Sequence, residues 1–283
     1  MIKQAIIPLA GLGTRLLPLT SVFAKELLPI NGKPGIEYIL DECIDAGIKE
    51  IVFIISTKKQ MIKKYFYSDN FYQSIIKKKK DQRIINEYKK ILKYKKKIKF
   101  VYQNIPKGTG DAVLKTQKFI KNKYFLMFLP DDLIIKKNCS KAMIRVHSKY
   151  SASVMASMKV NKKTVSRWGI YKLNKKLNKT DYIIDGVVEK PSVKNAPSNN
   201  AVIGRYILPR TIFKKIKLLK PSKGNEIHIT DAIQELINNK EKFVAHNFEG
   251  KYLDCGTMKG YINSSKIIGK LWNYAWLEQV MWV

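Results

Sequence analysis

Short, almost continuously apolar runs recur along the chain, separated by stretches in which apolar residues return every three or four positions. Residues 3 to 8, Ile51 to Ile55, Ile98 to Tyr102 and Tyr124 to Leu129 are of the first kind. Such runs are the pattern of strands buried on both faces of a sheet. Between the first two lies GIEYILDECIDA (35 to 46), with Ile36, Ile39, Leu40 and Cys43 at helical spacing and Gly47 at its end. A strand–helix–strand unit of this kind predicts a right-handed crossover and a parallel pair. Further helices are expected from Lys59 to Tyr65, after Pro106 to Ala112 as far as about Ile120, over 140 to 149, from Ile229 to Asn238 and from Thr257 to Ile268. Further strands are expected at Ala152–Met158, Gly169–Leu173, 182 to 190, Val202–Leu208, Phe243–Phe248 and Lys251–Leu253. Residues 67 to 97 break this rhythm and predict two Lys-rich helices inserted at the sheet edge. The run Lys77 to Lys80 there reads as a solvated face.

With no internal repeat and no flexible linker, the pattern predicts one three-layer α/β/α domain over residues 1 to 268. Its sheet is expected to be mixed, mostly parallel and Rossmann-like, with a C-terminal helical extension. Residues 269 to 283 form an aromatic tail that holds Trp272, Trp276 and Trp282. In sheets of this kind ligands sit outside the carboxyl ends of the strands. Gly11, Gln103, Asp131 and Glu189 all fall at expected strand ends, so they can converge.

Composition changes this picture little. The formal charge is +32, which by itself points to nucleic acid or an anionic surface. Of the 54 basic residues, however, only Arg15, Arg83, Arg145, Arg167, Arg205 and Arg210 are arginine. Base-reading proteins favour the arginine fork. The lysines are scattered beside much Ile and Asn, all with AT-rich codons, so the charge reads as base bias and a solvated surface. A specific nucleic-acid partner is not expected. Cys43, Cys139 and Cys255 are few and far apart, which implies neither a disulfide framework nor a zinc site. No apolar run approaches membrane-spanning length, and a soluble cytoplasmic protein is expected.

The chemistry is concentrated in AIIPLAGLGTRLLPLTSVFAKELLPINGKP, residues 5 to 34. An apolar strand feeds Gly11-Leu12-Gly13-Thr14-Arg15, a turn whose backbone N–H groups can lie close to a phosphate. Leu16 stands where a dinucleotide fingerprint has its third glycine, and no Gly-Lys-Ser/Thr follows as in a Walker A loop. The chain also lacks a Gly-x-Ser-x-Gly elbow and a His-Glu-x-x-His motif. Its three histidines, His147, His228 and His246, fall in separate segments and read as bystanders.

The longer pattern GxGTRLxP, then KELLPI and GKP, resembles the signature of sugar nucleotidyltransferases, and within them of the uridylyltransferase branch. The resemblance runs from Lys3 to about Ile267. It implies an Mg²⁺-dependent enzyme that joins UTP to glucose 1-phosphate, giving UDP-glucose and pyrophosphate. The alternatives are a thymidylyltransferase, a catalytically dead regulatory relative, or, in another class, a basic nucleic-acid-binding protein. A dead relative would be expected to have lost Arg15, Lys25 or Asp131, and all three are present.

The reaction needs polyanions held in line and their charge neutralised, with no covalent nucleophile. Arg15 suits the β- and γ-phosphates and Lys25 the α-phosphate. Asp131, after an apolar strand, is a hard oxygen ligand at a strand mouth, where a metal would meet phosphates. Asp132 should point the other way, so its loss is expected to be mild. The resemblance adds Asp254 as a second metal ligand. Two such carboxylates repel, so the site is expected to be unsettled without metal. By resemblance, Ala10, Gly11, Gly13, Glu26, Gln103 and Gly108 contact the nucleotide, Gln103 and Gly108 at the base. Glu189 would meet sugar hydroxyls, Lys190 the sugar phosphate, and Gly169 would let the sugar approach the backbone. Ala196 to Asn199 and Gly204 to Tyr206 fit the uridylyl branch better than the thymidylyl one. The base loop departs from that branch: it reads Lys-Gly-Thr-Gly-Asp-Ala where Lys-Gly-Leu-Gly-His-Ala is usual. The family also implies a homodimer or homotetramer, and the aromatic tail is expected to form that contact.

Overall fold

The apolar run at the start of the chain is strand β1 (Gln4–Pro8), seen in a computed structural model that describes residues 2–271. It leads through short 3-10 turns to a small hairpin, β2 (Pro29–Ile30) with β3 (Lys33–Pro34), and then to helix α1 (Gly35–Asp45). Next come β4 (Glu50–Ile55), α2 (Gln60–Phe66), α3 (Asp69–Lys79), α4 (Gln82–Lys95) and β5 (Ile98–Tyr102). Helix α5 (Gly108–Lys115) precedes β6 (Tyr124–Phe128), β7 (Asp132–Ile135), α6 (Cys139–Tyr150) and β8 (Ser153–Lys159). The second half holds β9 (Gly169–Lys176), β10 (Asp181–Glu189), β11 (Asn200–Pro209), α7 (Ile212–Leu218) and α8 (Ile229–Asn238). It closes with β12 (Phe243–Asn247), β13 (Lys251–Asp254) and α9 (Met258–Leu271). The expected tail contact lies, from residue 272 on, outside the described residues.

The main sheet has the order β5-β4-β1-β6-β11-β8-β12-β10-β9. Strands β5, β4, β1 and β6 are mutually parallel; β11 and β10 run against the rest, so the sheet is mixed and mostly parallel. The strands are apolar on both faces because both are covered. Ala5, Ile7, Ile51 and Phe53 pack with Ile39 and Leu40 of α1, Phe66 of α2, Tyr94 of α4 and Met143 of α6. Ile6, Val52 and Ile54 pack on the other face with Val113 of α5, Phe213 of α7 and Leu236 of α8. These are the three layers expected from the sequence.

Three features add detail, the first and third as departures from the sequence pattern. Helix α5 ends at Lys115 rather than near Ile120, because Thr116 turns its hydroxyl back to the carbonyl of Val113 (2.7 Å) and its N–H bonds the same carbonyl. In the Lys-rich stretch, α3 has no buried residue, whereas α4 buries Ile91 and Tyr94 against the sheet layer, and Lys77 to Lys80 are exposed. Finally, β9 pairs back onto β11 through Ile170 and Ala201. Strands β11, β8, β12, β10 and β9 therefore form a closed ring of pairings.

Candidate active site

The carboxyl ends of the parallel strands deliver the expected groups to one edge. A cavity of about 320 Å³ there is lined by Ala10, Gly11, Arg15, Lys25, Glu26, Gln103, Gly108 and Asp131. A second, of about 420 Å³, is lined by Arg15, Asp131, Asp254 and Gly169, with Arg167, Trp168 and Tyr252. Arg15, Asp131 and Asp132 belong to both, so the two cavities meet at this cluster. Gly13 heads the 3-10 turn that carries Arg15 and lines neither cavity. Glu189 and Lys190 also line neither. They sit at the rim, exposed, with Lys190 Nζ 3.6 Å from the carboxylate of its own neighbour. Glu189 reaches this side because it is paired with Gly169 at the start of β9, in the ring of strands.

Asp131 is the hub. Lys25 Nζ lies 2.5 and 2.6 Å from its two carboxylate oxygens, and Arg15 Nη2 donates to Oδ2 at 3.1 Å. Asp254 is also engaged: its oxygens accept from the Gly256 N–H at 2.8 Å and the Thr257 hydroxyl at 3.0 Å. The two carboxylates are drawn together by the backbone, since the Cys255 N–H donates to the carbonyl of Asp131 at 2.8 Å. A Cβ on Gly256 would stand 2.9 Å from both Arg15 Nη2 and Asp131 Oδ2, so a side chain there would press both groups out of their present positions. The unsettled pair of like charges expected without metal is thus not what is found. Each carboxylate already has its donors, and Asp131 has two cations.

Asp132, the first residue of β7 after the turn at Asp131, turns away from Lys25, but it is not idle. It accepts from the Gly204 N–H at 2.8 Å and from the Tyr252 hydroxyl at 2.7 Å. Burial pushes its carboxyl above the usual range, against the pull of those two hydrogen bonds and of Arg205. Behind it, Arg205 is fully buried and bonds Glu42 in α1: Oε2 accepts from Nη2 at 2.9 Å and from Nε at 3.1 Å, and Oε1 from Nε at 3.3 Å. Its Nη1 donates to the carbonyls of Gly204 and Leu129, the latter two residues before Asp131.

Glu26, expected at the nucleotide, has both oxygens held by Lys59 at 2.8 and 2.9 Å. Burial raises the carboxyl and lowers the amine, and their attraction opposes both shifts. The loop from Lys107 to Gly110, expected at the base, is fixed by a segment far along the chain. The Gly110 N–H donates to the carbonyl of Ile227 at 2.7 Å, and the Ile227 N–H to the carbonyl of Lys107 at 2.9 Å. Gly108 has φ of 92°, and a Cβ there would meet the Ile227 oxygen at 2.5 Å. The unusual Thr109 has a task in this contact: its hydroxyl accepts from the N–H of Ile229, the first residue of α8.

Sequence reasoning missed Lys59, Glu42, Tyr252, Arg167, and Glu226 on the wall of the first cavity. Lys59 had a signal, since it follows β4 at the same edge. Glu42 had none, because it sits among the apolar positions of α1. The histidines are outside both cavities; His246 bonds Asp181 at 2.6 Å and His147 the carbonyl of Ala152 at 2.7 Å.

Known proteins agree with this architecture. The nucleotidyl transferase family model matches residues 4–270. The UTP–glucose-1-phosphate uridylyltransferase of Streptococcus pyogenes is 38% identical over 273 residues, covering 93% of this chain and 88% of the relative. A UDP-glucose pyrophosphorylase crystallised with UDP-glucose superposes with a TM-score of 0.83 at 36% identity, over 95% of this chain and 99% of that one. A UTP-bound UGPase from Acinetobacter baumannii does so with a TM-score of 0.87 at 31% identity, over 95% and 94%. With a parallel-strand edge that gathers a glycine turn, two cations and two carboxylates, and with a match along almost its whole described length, this chain belongs to the nucleotidyl transferase family.

Proposed function

We propose that the chain transfers the uridylyl group of UTP to glucose 1-phosphate, giving UDP-glucose and pyrophosphate in a reversible, Mg²⁺-dependent reaction. The observation that carries this reading is the junction of the two cavities at Arg15 and Asp131. One cavity ends in the glycine turn and the Gln103 loop, the other in Gly169 and Trp168. A nucleoside triphosphate in the first and a sugar phosphate in the second would bring their phosphates to the same cations.

Arg15 and Lys25 then have two roles. They neutralise the triphosphate as the sugar phosphate oxygen attacks the α-phosphorus, and they stabilise the charge that develops on the pyrophosphate as it leaves. Arg167, which lines the second cavity, adds a further cation on the acceptor side, with Lys190 at the rim. The donor set suits Mg²⁺. Among the described residues no group of three or more His, Cys, Asp or Glu forms a ready-made metal cage. Mg²⁺ takes one or two carboxylates and draws the remaining ligands from substrate and water. Asp131 and Asp254 supply those two, each with lone pairs left after the hydrogen bonds described above. Bound there, Mg²⁺ would offset negative charge on the reacting phosphates.

The test is pyrophosphate release from UTP, dTTP, CTP, GTP and ATP, each offered with several sugar 1-phosphates. UTP with glucose 1-phosphate should be the best pair. A dTTP turnover equal to or above that of UTP in direct competition would move the chain to the thymidylyl branch.

A further inference from the structure

Gln103 closes the base end of the first cavity, and its orientation is dictated by its neighbours. Its Nε2 donates to Asp111 Oδ2 at 2.8 Å and to the carbonyl of Gly108 at 3.1 Å. A carboxamide nitrogen carries two hydrogens, and a carboxylate and a carbonyl are both acceptors, so both donors of Gln103 are spent. Rotating the amide by half a turn would set Oε1 against two oxygens and leave Nε2 without them. Oε1 accepts from no donor among the described residues, and it is not among the buried polar atoms that lack a partner. The cavity is therefore offered an acceptor and no amide donor. Asp111 is itself buried, in the first turn of α5, with Lys115 3.7 Å away one turn later.

The pyrimidines differ at the atom such a group would read. Uracil and thymine carry a hydrogen on N3, whereas N3 of cytosine is a bare acceptor. A fixed oxygen accepts from the first and repels the second. A freely turning carboxamide could serve both. We infer that Asp111 is a positioning residue that locks the Gln103 amide with its oxygen toward the base, and so makes the site select uracil-type nucleotides over cytosine nucleotides. This inference rests on the nucleotide reading given above and adds to it how the base is chosen.

The experiment compares the wild type with Asp111→Asn, close in shape but able to present its own amide either way round. Asp111→Ala serves as a second variant. For each, kcat/KM is measured with UTP and with CTP at saturating glucose 1-phosphate, and Kd is measured for UMP and CMP. The wild type should favour UTP and UMP strongly. Asp111→Asn should lower the ratio of UTP to CTP efficiency by about 10-fold, with a matching fall in the UMP to CMP affinity ratio. The change should fall in KM and Kd rather than in kcat. A damaged fold would depress both nucleotides together and leave the ratios where they were. If the wild type works with UTP and the ratios stay within about two-fold in both variants, the role of Asp111 is refuted while the proposed function stands. If the wild type neither turns over UTP nor prefers UMP, both fall.

Discussion

Asp131 and Asp132 are adjacent in sequence and opposite in role. The first meets Lys25 and Arg15; the second holds Gly204 and Tyr252. Replacing Asp131 by Asn keeps the shape and removes the charge where phosphates would be transferred. Turnover should fall about 100-fold or more, with the fold intact, as measured by pyrophosphate release and by thermal melting. Asp132→Asn is expected to show the other pattern. Its carboxyl is buried and satisfied, so the substitution should cost about 1–3 kcal/mol of stability by urea titration. The effect on turnover is still expected to be mild, because the side chain faces Gly204 of β11 and Tyr252 rather than the two cations. An Asp132→Asn protein as stable as the wild type would refute this account. That the two aspartates would face apart was expected from strand alternation, although Asp131 in fact stands in the turn before β7. What Asp132 would touch was not, because Gly204 and Tyr252 lie in other segments.

At the scale of elements, the loop that carries Asp131 is pinned by the buried pair of Arg205 in β11 and Glu42 in α1. Arg205→Met removes one partner and leaves Glu42 charged in the core, which should cost about 3–5 kcal/mol. Arg205→Met together with Glu42→Leu should cost less than Arg205→Met alone, and urea unfolding of both proteins checks it. A second polar contact ties β10 to β12. Burial would raise the Asp181 carboxyl, but hydrogen bonds from His246 and Asn178 outweigh it and hold the group below its ordinary value. A lowered carboxyl stabilises the fold in full above its unfolded pKa, and that share is lost as pH falls through the folded value. Stability should therefore fall between pH 5 and pH 3 less steeply in Asp181→Asn than in the wild type. Equal slopes in urea unfolding at the two pH values would contradict this. The parallel half of the sheet was readable because its strands are continuous apolar runs. Strand β7 was not, because it is only four residues long, Asp132 to Ile135, directly after the apolar run of β6. Helix α7 was missed because seven residues with three lysines give little periodicity. The return of β9 to β11 rests on a contact between distant segments that no local pattern records.

For the molecule as a whole, the formal charge of +32 is spread over a surface that includes the exposed Lys77 to Lys80. No helix among the described residues is long and apolar enough to cross a membrane. The aromatic stretch from Trp272 to Trp282, beyond the end of α9, remains our candidate for a contact between copies of the chain. A chain ending at Leu271 should run as a monomer in light scattering, and the full chain as a dimer or tetramer. Equal masses would end that proposal.

The clasp between the base loop and Ile227 bears on how the protein comes into being during synthesis. The glycine turn, Lys25, Gln103 and Asp131 have all been translated before residue 140, but the wall that seats Gly108 and Gly110 comes only with Ile227. A ribosome-bound chain of 220 residues has most of its phosphate-handling groups and still no finished pocket. Uridine nucleotides should therefore bind nascent chains only after the segment around Ile227 has left the exit tunnel. A release-stalled chain ending at residue 220 that bound UMP as tightly as the whole protein would contradict this. Until that point the growing polypeptide should have no finished place to hold a nucleoside triphosphate.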